Sequence, residues 1–573
     1  MTTSTDIAPK KNAKDLAARI GWAALICATL YVCYFSHLGA IGFVGPDEPR
    51  YAWIARDMAE TGDWVTPRLY GKPWFEKPPL YYWGAAICFK LFGVSEAAAR
   101  LPSAISALLA TLAMAWLARR IYGAETARWL LLLLPTTVGM IGFSHAAATD
   151  MPFSAMLTIA MVCAAVLLRL PLECGGLPPL SQNEPAATKS AGTLAAAQAS
   201  SSFTSSTSFT SLLFGFFLGL AVLAKGPAGI ILCGAAVFFW ALFARRWRDA
   251  LRLFRPAAIA AFCLTALPWY ILCARRNPDF FRIFIIEHNF KRYLTPEFQH
   301  IQPFWFYLPI LCIALMPWTF GSLILAKDTT RSWRESGWRN SPSLFLICWI
   351  LVPIIFFSTS KSKLPGYVLP AVPPLGLLVA RAFSVRVHKI LSGGRWIGVT
   401  TGITLMALGI LAFMQIELMS FGWAPSLLTA SGIVMLMLSA QPRLASALFM
   451  GVVAVVATVL LTFAGSTGEL LDQRLSARPP LRAAQMIWKD FSPERTSTYK
   501  LQRPFQFSLN FYLQRELPAW SPDSLRGWVF ASRNDISDLR NRGLNCPIVF
   551  CYAVIVCEDP GSTAHPSSSG KPQ

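Results

Sequence analysis

Apolar runs of about 15–24 residues recur between residues 20 and 465, separated by short polar turns. A chain patterned this way reads as a bundle of membrane-spanning helices, not as soluble layers around one core. Composition agrees: 54% of the 573 residues are hydrophobic and only 14% are charged. Candidate spans lie at 20–42, 101–119, 126–143, 151–169, 210–223, 226–243, 256–274, 303–326, 343–358, 366–383, 395–415, 421–438 and 444–465. A further apolar stretch, 79–93, is short for a crossing. The first run follows a basic start (Lys10, Lys11, Lys14, Arg19) and has no clear small-residue cleavage site after it, so it reads as an uncleaved span.

Lysine and arginine set the orientation, because cytoplasmic loops collect them. With the N-terminus inside and 79–93 not crossing, several basic clusters fall inside. They include Arg119, Arg120 and Arg128, the group from Arg245 to Arg255, and Arg381, Arg386 and Lys389. If 79–93 crosses, all of them move outside. The expectation is therefore an α-helical polytopic membrane protein of about thirteen spans, with 79–93 as a partly embedded or surface helix. The net charge of +21 is then mostly orienting charge, which argues against a nucleic-acid surface. Cysteines before residue 350 sit mostly in or beside apolar runs and show no paired zinc spacing. Cys546, Cys551 and Cys557 lie in the polar tail, where an oxidising compartment would allow one disulfide.

By this parity the outer face receives the loop 43–100, Asp150, Lys225, the loop 275–302, the segment STSKSKLPGYVLP (Ser358 to Pro370) and the tail. Residues 1–465 form the membrane domain. Within it, the inner loop 171–209, rich in Pro, Ser, Ala and Thr, reads as a disordered linker. Residues 466–573 read as a small extracytoplasmic α/β domain with a disordered end. Its helix-like stretch runs from Leu481 to Phe491, and its strand-like stretches are Gly527 to Ala531 and Pro547 to Val556.

Five outer features carry chemistry. In GPDEPRYAWIARDM, Asp47 and Glu48 precede Pro49 at the start of an amphipathic helix that ends near Gly62. Tyr51, Ile54, Ala55 and Met58 share its apolar face. A helix cap is one reading of these acids and a catalytic carboxylate the favoured one, and both can hold, since a side chain at a helix start is well held. Asp150, before Pro152, has the same two readings. Two carboxylates near one centre could deprotonate an acceptor hydroxyl or hold a metal. In WFEKPPLYYW, Pro78 and Pro79 keep Glu76 and Lys77 on an extended bend. Lys77 either snorkels to headgroups or meets a lipid phosphate. Lys361 and Lys363 are cations on a face where the charge bias disfavours them, which suggests an anion to bind, and Lys225 has that reading and, equally, that of a lone structural lysine at a turn. In FFRIFIIEHNFKRYL, His288 is a candidate metal ligand with Glu76, or simply part of an interfacial helix. Together these residues suit transfer of a sugar from a lipid phosphate at the outer surface. Cations stabilise the departing phosphate, and attack at C1 inverts the anomeric centre. No GxxxxGK loop for a nucleotide donor is present.

Seven stretches carry a resemblance to a known family: GPDEPRYA with its helix, GDWVTPRLYGKPWFEKPPLYYW, RLPSAISALLATLAMAWLARRIYG, TDMPF, LAKGPAG, EHNFKRYL and KSKLPGYVLP. The chain resembles the bacterial aminoarabinose transferases that modify lipid A. More broadly, it is similar to the protein O-mannosyltransferase superfamily of GT-C glycosyltransferases. The likeness covers roughly residues 20–385, and the tail matches in layout only. It implies Asp47 as the principal catalytic carboxylate, with Asp150 as its partner and Glu48 as acid support. Arg50, Lys77, Lys225, Tyr367 and a lysine of the KSK pair (Lys361, Lys363) would surround the donor phosphate. Glu76 and His288 would tie outer loops together, with a divalent metal ion as the candidate cofactor. The resemblance further implies an undecaprenyl-phosphate sugar donor, lipid A or another envelope acceptor, and reaction on the periplasmic face of the inner membrane. A mannosyltransferase-like enzyme using another sugar for a protein or glycan is the alternative within that class. A lipid or solute transporter fits less well, because its ionisable residues would lie near mid-membrane.

Overall fold

The computed structural model describes residues 8–171, 189–291, 302–319, 333–334, 337–388, scattered positions between 399 and 437, 471–522, 526–547 and 554–560. Helices occupy most of the expected spans among these residues, whereas 303–326 is helical over Tyr307–Ala314, turns at 315–317, and lies outside the described residues from 320. They are α1 (Ala8–Phe35), α4 (Glu96–Tyr122), α5 (Ala124–Leu133) with α6 (Val138–Ser144), α7 (Asp150–Leu167), α8 (Lys189–Lys225), α9 (Ala228–Ala244) and α11 (Pro256–Arg276). A short α10 (Trp247–Ala250) precedes α11, and α12 (Tyr307–Ala314), α13 (Pro342–Thr359) and α14 (Val372–His388) follow it. Six of the described helices are long and apolar enough to cross a membrane, or up to seven if the bent α5–α6 pair is one span. The expected spans 395–415, 421–438 and 444–465 lie outside the described residues, apart from scattered positions.

Two local departures have clear causes. The expected span 126–143 is broken, and α5 and α6 meet at 62°. Pro135 sits in the break and cannot donate to the helix ladder. Backbone groups at the break find other partners: Thr136 Oγ1 donates to Leu132 O at 2.9 Å, and Val138 N donates to Met316 O at 2.9 Å. The second departure lies in the stretch 171–209, expected as a linker. Helix α8 begins at Lys189, inside that stretch, where AGTLAAAQAS is rich in strong helix formers. Residues 172–188 lie outside the described residues.

Small residues let the bundle close. Gly215 and Gly219 put two small positions one turn apart on α8, against α11. A methyl at Gly219 would lie 2.8 Å from Thr265 Cβ, and one at Gly215 would collide with Ala258 O. On α4 and α7, Ala107, Ala110, Ala155 and Ala160 are fully buried in the same core.

Between α1 and α4 the loop builds its own layer. Helix α2 (Asp47–Thr61) buries Tyr51, Ile54, Ala55 and Met58, and it ends at Gly62 with φ 74°. A two-residue hairpin, β1 (Arg68–Leu69) and β2 (Lys72–Pro73), follows. Helix α3 (Leu80–Phe92) is 13 residues long, too short for an upright crossing. It packs Tyr81, Tyr82, Ala85 and Phe89 into one cluster with the buried face of α2.

The tail folds as α15 (Arg478–Ile487), β3 (Thr496–Tyr499), α16 (Arg503–Leu513), β4 (Gly527–Ser532), α17 (Ile536–Asn541) and β5 (Val554–Asp559). Its sheet order is β3-β4-β5, with the first pair parallel and the second antiparallel. Alternate residues face opposite sides: Trp528, Phe530, Val554 and Val556 on one, Val529, Ala531, Ile555 and Cys557 on the other. Cys546 and Cys557 form a disulfide. Strand β5 overlaps the expected strand-like stretch 547–556 at Val554–Val556 and continues to Asp559, and 548–553 lie outside the described residues.

Candidate functional site

The two acids at the start of α2 have different fates. Neither helix start is capped by a side chain, at α2 or at α7. Asp47 keeps a side chain 45% exposed and forms an ion pair with Arg50, one turn along the helix. Glu48 is buried. Its Oε1 accepts from Arg100 Nε at 3.1 Å and Ala147 N at 2.7 Å. Its Oε2 accepts from Arg100 Nη2 at 2.7 Å and Val44 N at 2.8 Å. Four donors leave Glu48 little capacity for a substrate. Arg100 spends its remaining donors on the carbonyls of Leu38, Ile41 and Gly42, at 2.6–2.9 Å. Glu48 thus locks the start of α2 to α4 and to the segment that leads into Asp150.

Arg50 is the hub of the first cluster. Besides Asp47, its Nη1 donates to Glu76 Oε2 at 3.2 Å and its Nε to Pro46 O at 2.8 Å. Glu76 also faces Lys77, whose Nζ lies 3.8 Å from Oε1. Burial opposes the Arg50 charge, but the carboxylates of Glu76 and Asp47 outweigh it and hold its pKa above the ordinary value.

The second cluster is built on Asp150, which forms an ion pair with Lys225 at the end of α8. The Lys225 ammonium lies 4.3 Å from the centroid of the Tyr367 ring and 5.4 Å from that of Phe153. Gly366 abuts the carboxyl: a methyl there would sit 2.8 Å from Asp150 Cγ and 2.9 Å from Oδ1. Tyr367 is buried and packs on Phe357 at 4.9 Å.

Contacts link the two clusters at one end of the bundle. Glu48 reaches Ala147, three residues before Asp150. Phe75, next to Glu76, is buried in one cluster with Leu223, two residues before Lys225. Phe280 and Phe284 complete that cluster, their rings stacked at 5.5 Å. His288 lies one turn past Phe284, in the π-helical segment Arg282–Lys291.

The KSK pair divides. Lys361 is exposed. Lys363 is buried, and its Nζ donates to Ser360 O at 2.6 Å and Gln302 O at 3.0 Å. Desolvation, then Lys361, pushes its pKa below the ordinary lysine value. Lys363 therefore holds its own loop and is not presented to a ligand.

The donor set does not suit a divalent cation. Glu76 faces two cations, Arg50 and Lys77, and no group of three or more His, Cys, Asp or Glu is found among the described residues. We derive no step through a metal.

Sequence reasoning missed Arg100, Trp74, Gly366 and Phe507. Arg100 did carry a signal: an arginine at the outer start of a span runs against the usual charge bias. The Arg50 carbon Cζ lies 5.6 Å from the Trp74 ring centroid and 5.3 Å from that of Phe507. Nothing in the local sequence joins the second of these rings to Arg50.

Comparison with known proteins places these residues in context. The family described as dolichyl-phosphate-mannose-protein mannosyltransferase matches over residues 76–170, and again, in a second form, over 188–284. The undecaprenyl phosphate-alpha-4-amino-4-deoxy-L-arabinose arabinosyl transferase of Erwinia tasmaniensis is 31% identical over 404 residues, 70% of this chain and 66% of that protein. The Pseudomonas aeruginosa (strain UCBPP-PA14) protein of the same name is 30% identical, over 70% of this chain and 67% of its own. The chain thus matches about two thirds of each relative's length. The crystal structure of ArnT from Cupriavidus metallidurans bound to undecaprenyl phosphate superimposes with a TM-score of 0.69 at 23% identity, covering 95% of this chain and 99% of that one. That structure shares the fold.

Proposed function

The chain belongs to the family of undecaprenyl phosphate-aminoarabinose arabinosyl transferases, and from that premise we propose that it is a membrane glycosyltransferase that moves 4-amino-4-deoxy-L-arabinose from undecaprenyl phosphate to lipid A. The reaction takes place on the periplasmic face of the inner membrane, with the N-terminus cytoplasmic and the domain formed by residues 466–573 periplasmic. The observation that carries this reading is the linked pair of acid–cation clusters, Asp47–Arg50–Glu76–Lys77 and Asp150–Lys225, at one end of the helices.

The chemistry follows from those groups. An acceptor oxygen attacks C1 of the sugar. The bond between C1 and the carrier phosphate oxygen breaks, and its electron pair leaves with undecaprenyl phosphate. Attack opposite the leaving group inverts C1. Arg50, Lys77, Lys225 and Lys361 stabilise the phosphate charge as it develops. A lipid A phosphate arrives already anionic, so no proton need be removed. A hydroxyl acceptor would pass its proton to a carboxylate, and Asp47 is the more exposed of the two acids, at 45% against 22% for Asp150. Glu48 and Lys363 hold the frame in which these groups stand.

The match to mannosyltransferase families over 76–170 and 188–284 favours a second reading, in which another sugar goes to a protein or glycan. One experiment separates the two. Purified protein is incubated with lipid A and, in separate reactions, undecaprenyl phosphate-aminoarabinose or an undecaprenyl-phosphate hexose with a protein or glycan acceptor, and the products are weighed by mass spectrometry. Lipid A is expected to gain one aminoarabinose per transfer. Unmodified lipid A, with turnover of a hexosyl donor instead, would establish the second reading.

A further inference from the structure

Asp47 is held, among the described residues, by Arg50, so whatever fixes Arg50 fixes Asp47. The in-plane donors of Arg50 go to Pro46 O, Asp47 and Glu76. Its flat faces carry no donors and are the surfaces that aromatic rings cover. Three rings lie within reach: Tyr51 at 5.9 Å, Trp74 at 5.6 Å and Phe507 at 5.3 Å from ring centroid to Cζ. The first two belong to the 43–100 loop. The third, nearest of the three, comes from α16 in the tail.

Helix α16 is docked firmly enough to place that ring. Phe511, one turn after Phe507, is buried against Phe43 with ring centroids 4.7 Å apart. Asn510 Nδ2 donates to the Tyr70 hydroxyl at 2.9 Å, and the Tyr512 hydroxyl donates to Glu96 Oε1 at 2.8 Å while accepting from Phe43 N at 3.2 Å. Beneath it, Arg478 joins Asp472 and Glu96 to the carbonyls of Gly39 and Ala40. These contacts set the register of α16 on the 43–100 loop, at Phe43, Tyr70 and Glu96, and residues four apart then share its docking face.

We propose that Phe507 is a positioning residue of the transfer site: the tail domain covers the Arg50 guanidinium with this ring and thereby orients the Asp47 carboxylate. The inference rests on the transferase reading for its activity readout. It makes the tail part of the site wall, so the membrane bundle alone is an incomplete enzyme.

The test uses full-length protein carrying Phe507→Leu, Phe507→Tyr or Phe507→Trp. Leucine keeps apolar bulk but removes the ring. In steady-state transfer, Phe507→Leu is expected to lower kcat by about 3- to 30-fold, the range of one partly desolvated cation–π contact, with donor KM unchanged within about twofold. The aromatic variants are expected to recover most of that loss. A wild-type kcat for Phe507→Leu, or equal losses for leucine and the aromatic variants, would overturn the proposal. A stability cycle with Arg50→Met reads the same contact without turnover. If ring and guanidinium interact, the Tm losses of Phe507→Leu and Arg50→Met are less than additive. Strictly additive losses would overturn the contact even where the sugar assignment itself failed.

Discussion

Asp47 and Glu48 are neighbours with opposite work. The carboxylate of Glu48 is saturated by Arg100 and two backbone donors, whereas Asp47 keeps an exposed oxygen-bearing side chain on an arginine. Removing one partner of a buried ion pair costs about 3–5 kcal/mol. Arg100→Leu is therefore expected to lower the thermal midpoint of the purified protein sharply, and thermal unfolding that matched wild type would deny Glu48–Arg100 its structural role. At Gly366 the effect is on chemistry. A methyl there would overlap the Asp150 carboxyl and lie 2.9 Å from Phe143 Cε1, so Gly366→Ala is expected to cut transfer by at least about tenfold while the protein still inserts. Unaltered transfer in that variant would mean Asp150 tolerates displacement. At this scale the outer acids and lysines were legible, because charge placed against an apolar background stands out. What was not legible was their division of labour. KSK offers two equivalent lysines on paper, and only the fold sends Lys363 to backbone carbonyls and leaves Lys361 exposed.

Elements were legible where one physical signal ruled them. Apolar length predicted the spans, and the phase of Tyr51, Ile54, Ala55 and Met58 predicted the buried face of α2. Two elements followed from competing signals. Pro135 broke a span whose hydropathy was continuous, and alanine extended α8 into a stretch whose serine and threonine content suggested a linker. The extended bend at Glu76–Lys77 was readable from Pro78 and Pro79, but its anchoring was not: Phe75 is pinned by Trp269 and Phe280, from elements about two hundred residues away. That anchoring fixes where Lys77 stands. Lys77→Ala is expected to raise the donor KM at least about fivefold and to leave the acceptor KM within about twofold, as loss of one charge-assisted phosphate contact implies. An unchanged donor KM would remove Lys77 from the phosphate site.

As a whole, the molecule joins a helical bundle to a small α/β tail through contacts that span more than four hundred residues, such as Gly42 with Asp472 and Tyr70 with Asn510. No periodicity or motif in one segment announces a partner so distant, so the tail read as an appended domain and its share in the site wall went unseen. Other contacts between distant segments, Glu48 with Ala147 and Phe75 with Leu223, bring Asp47, Arg50, Glu76, Asp150 and Lys225 together from three separate stretches of chain. Whether that gathering is a catalytic site is decided most directly by steady-state transfer with Asp47→Asn in otherwise intact protein. Loss of kcat by at least about 100-fold, the usual scale for a positioned acid–base or electrostatic group, with undecaprenyl phosphate binding and thermal stability retained, is the expected result. A wild-type kcat in the asparagine variant would contradict it.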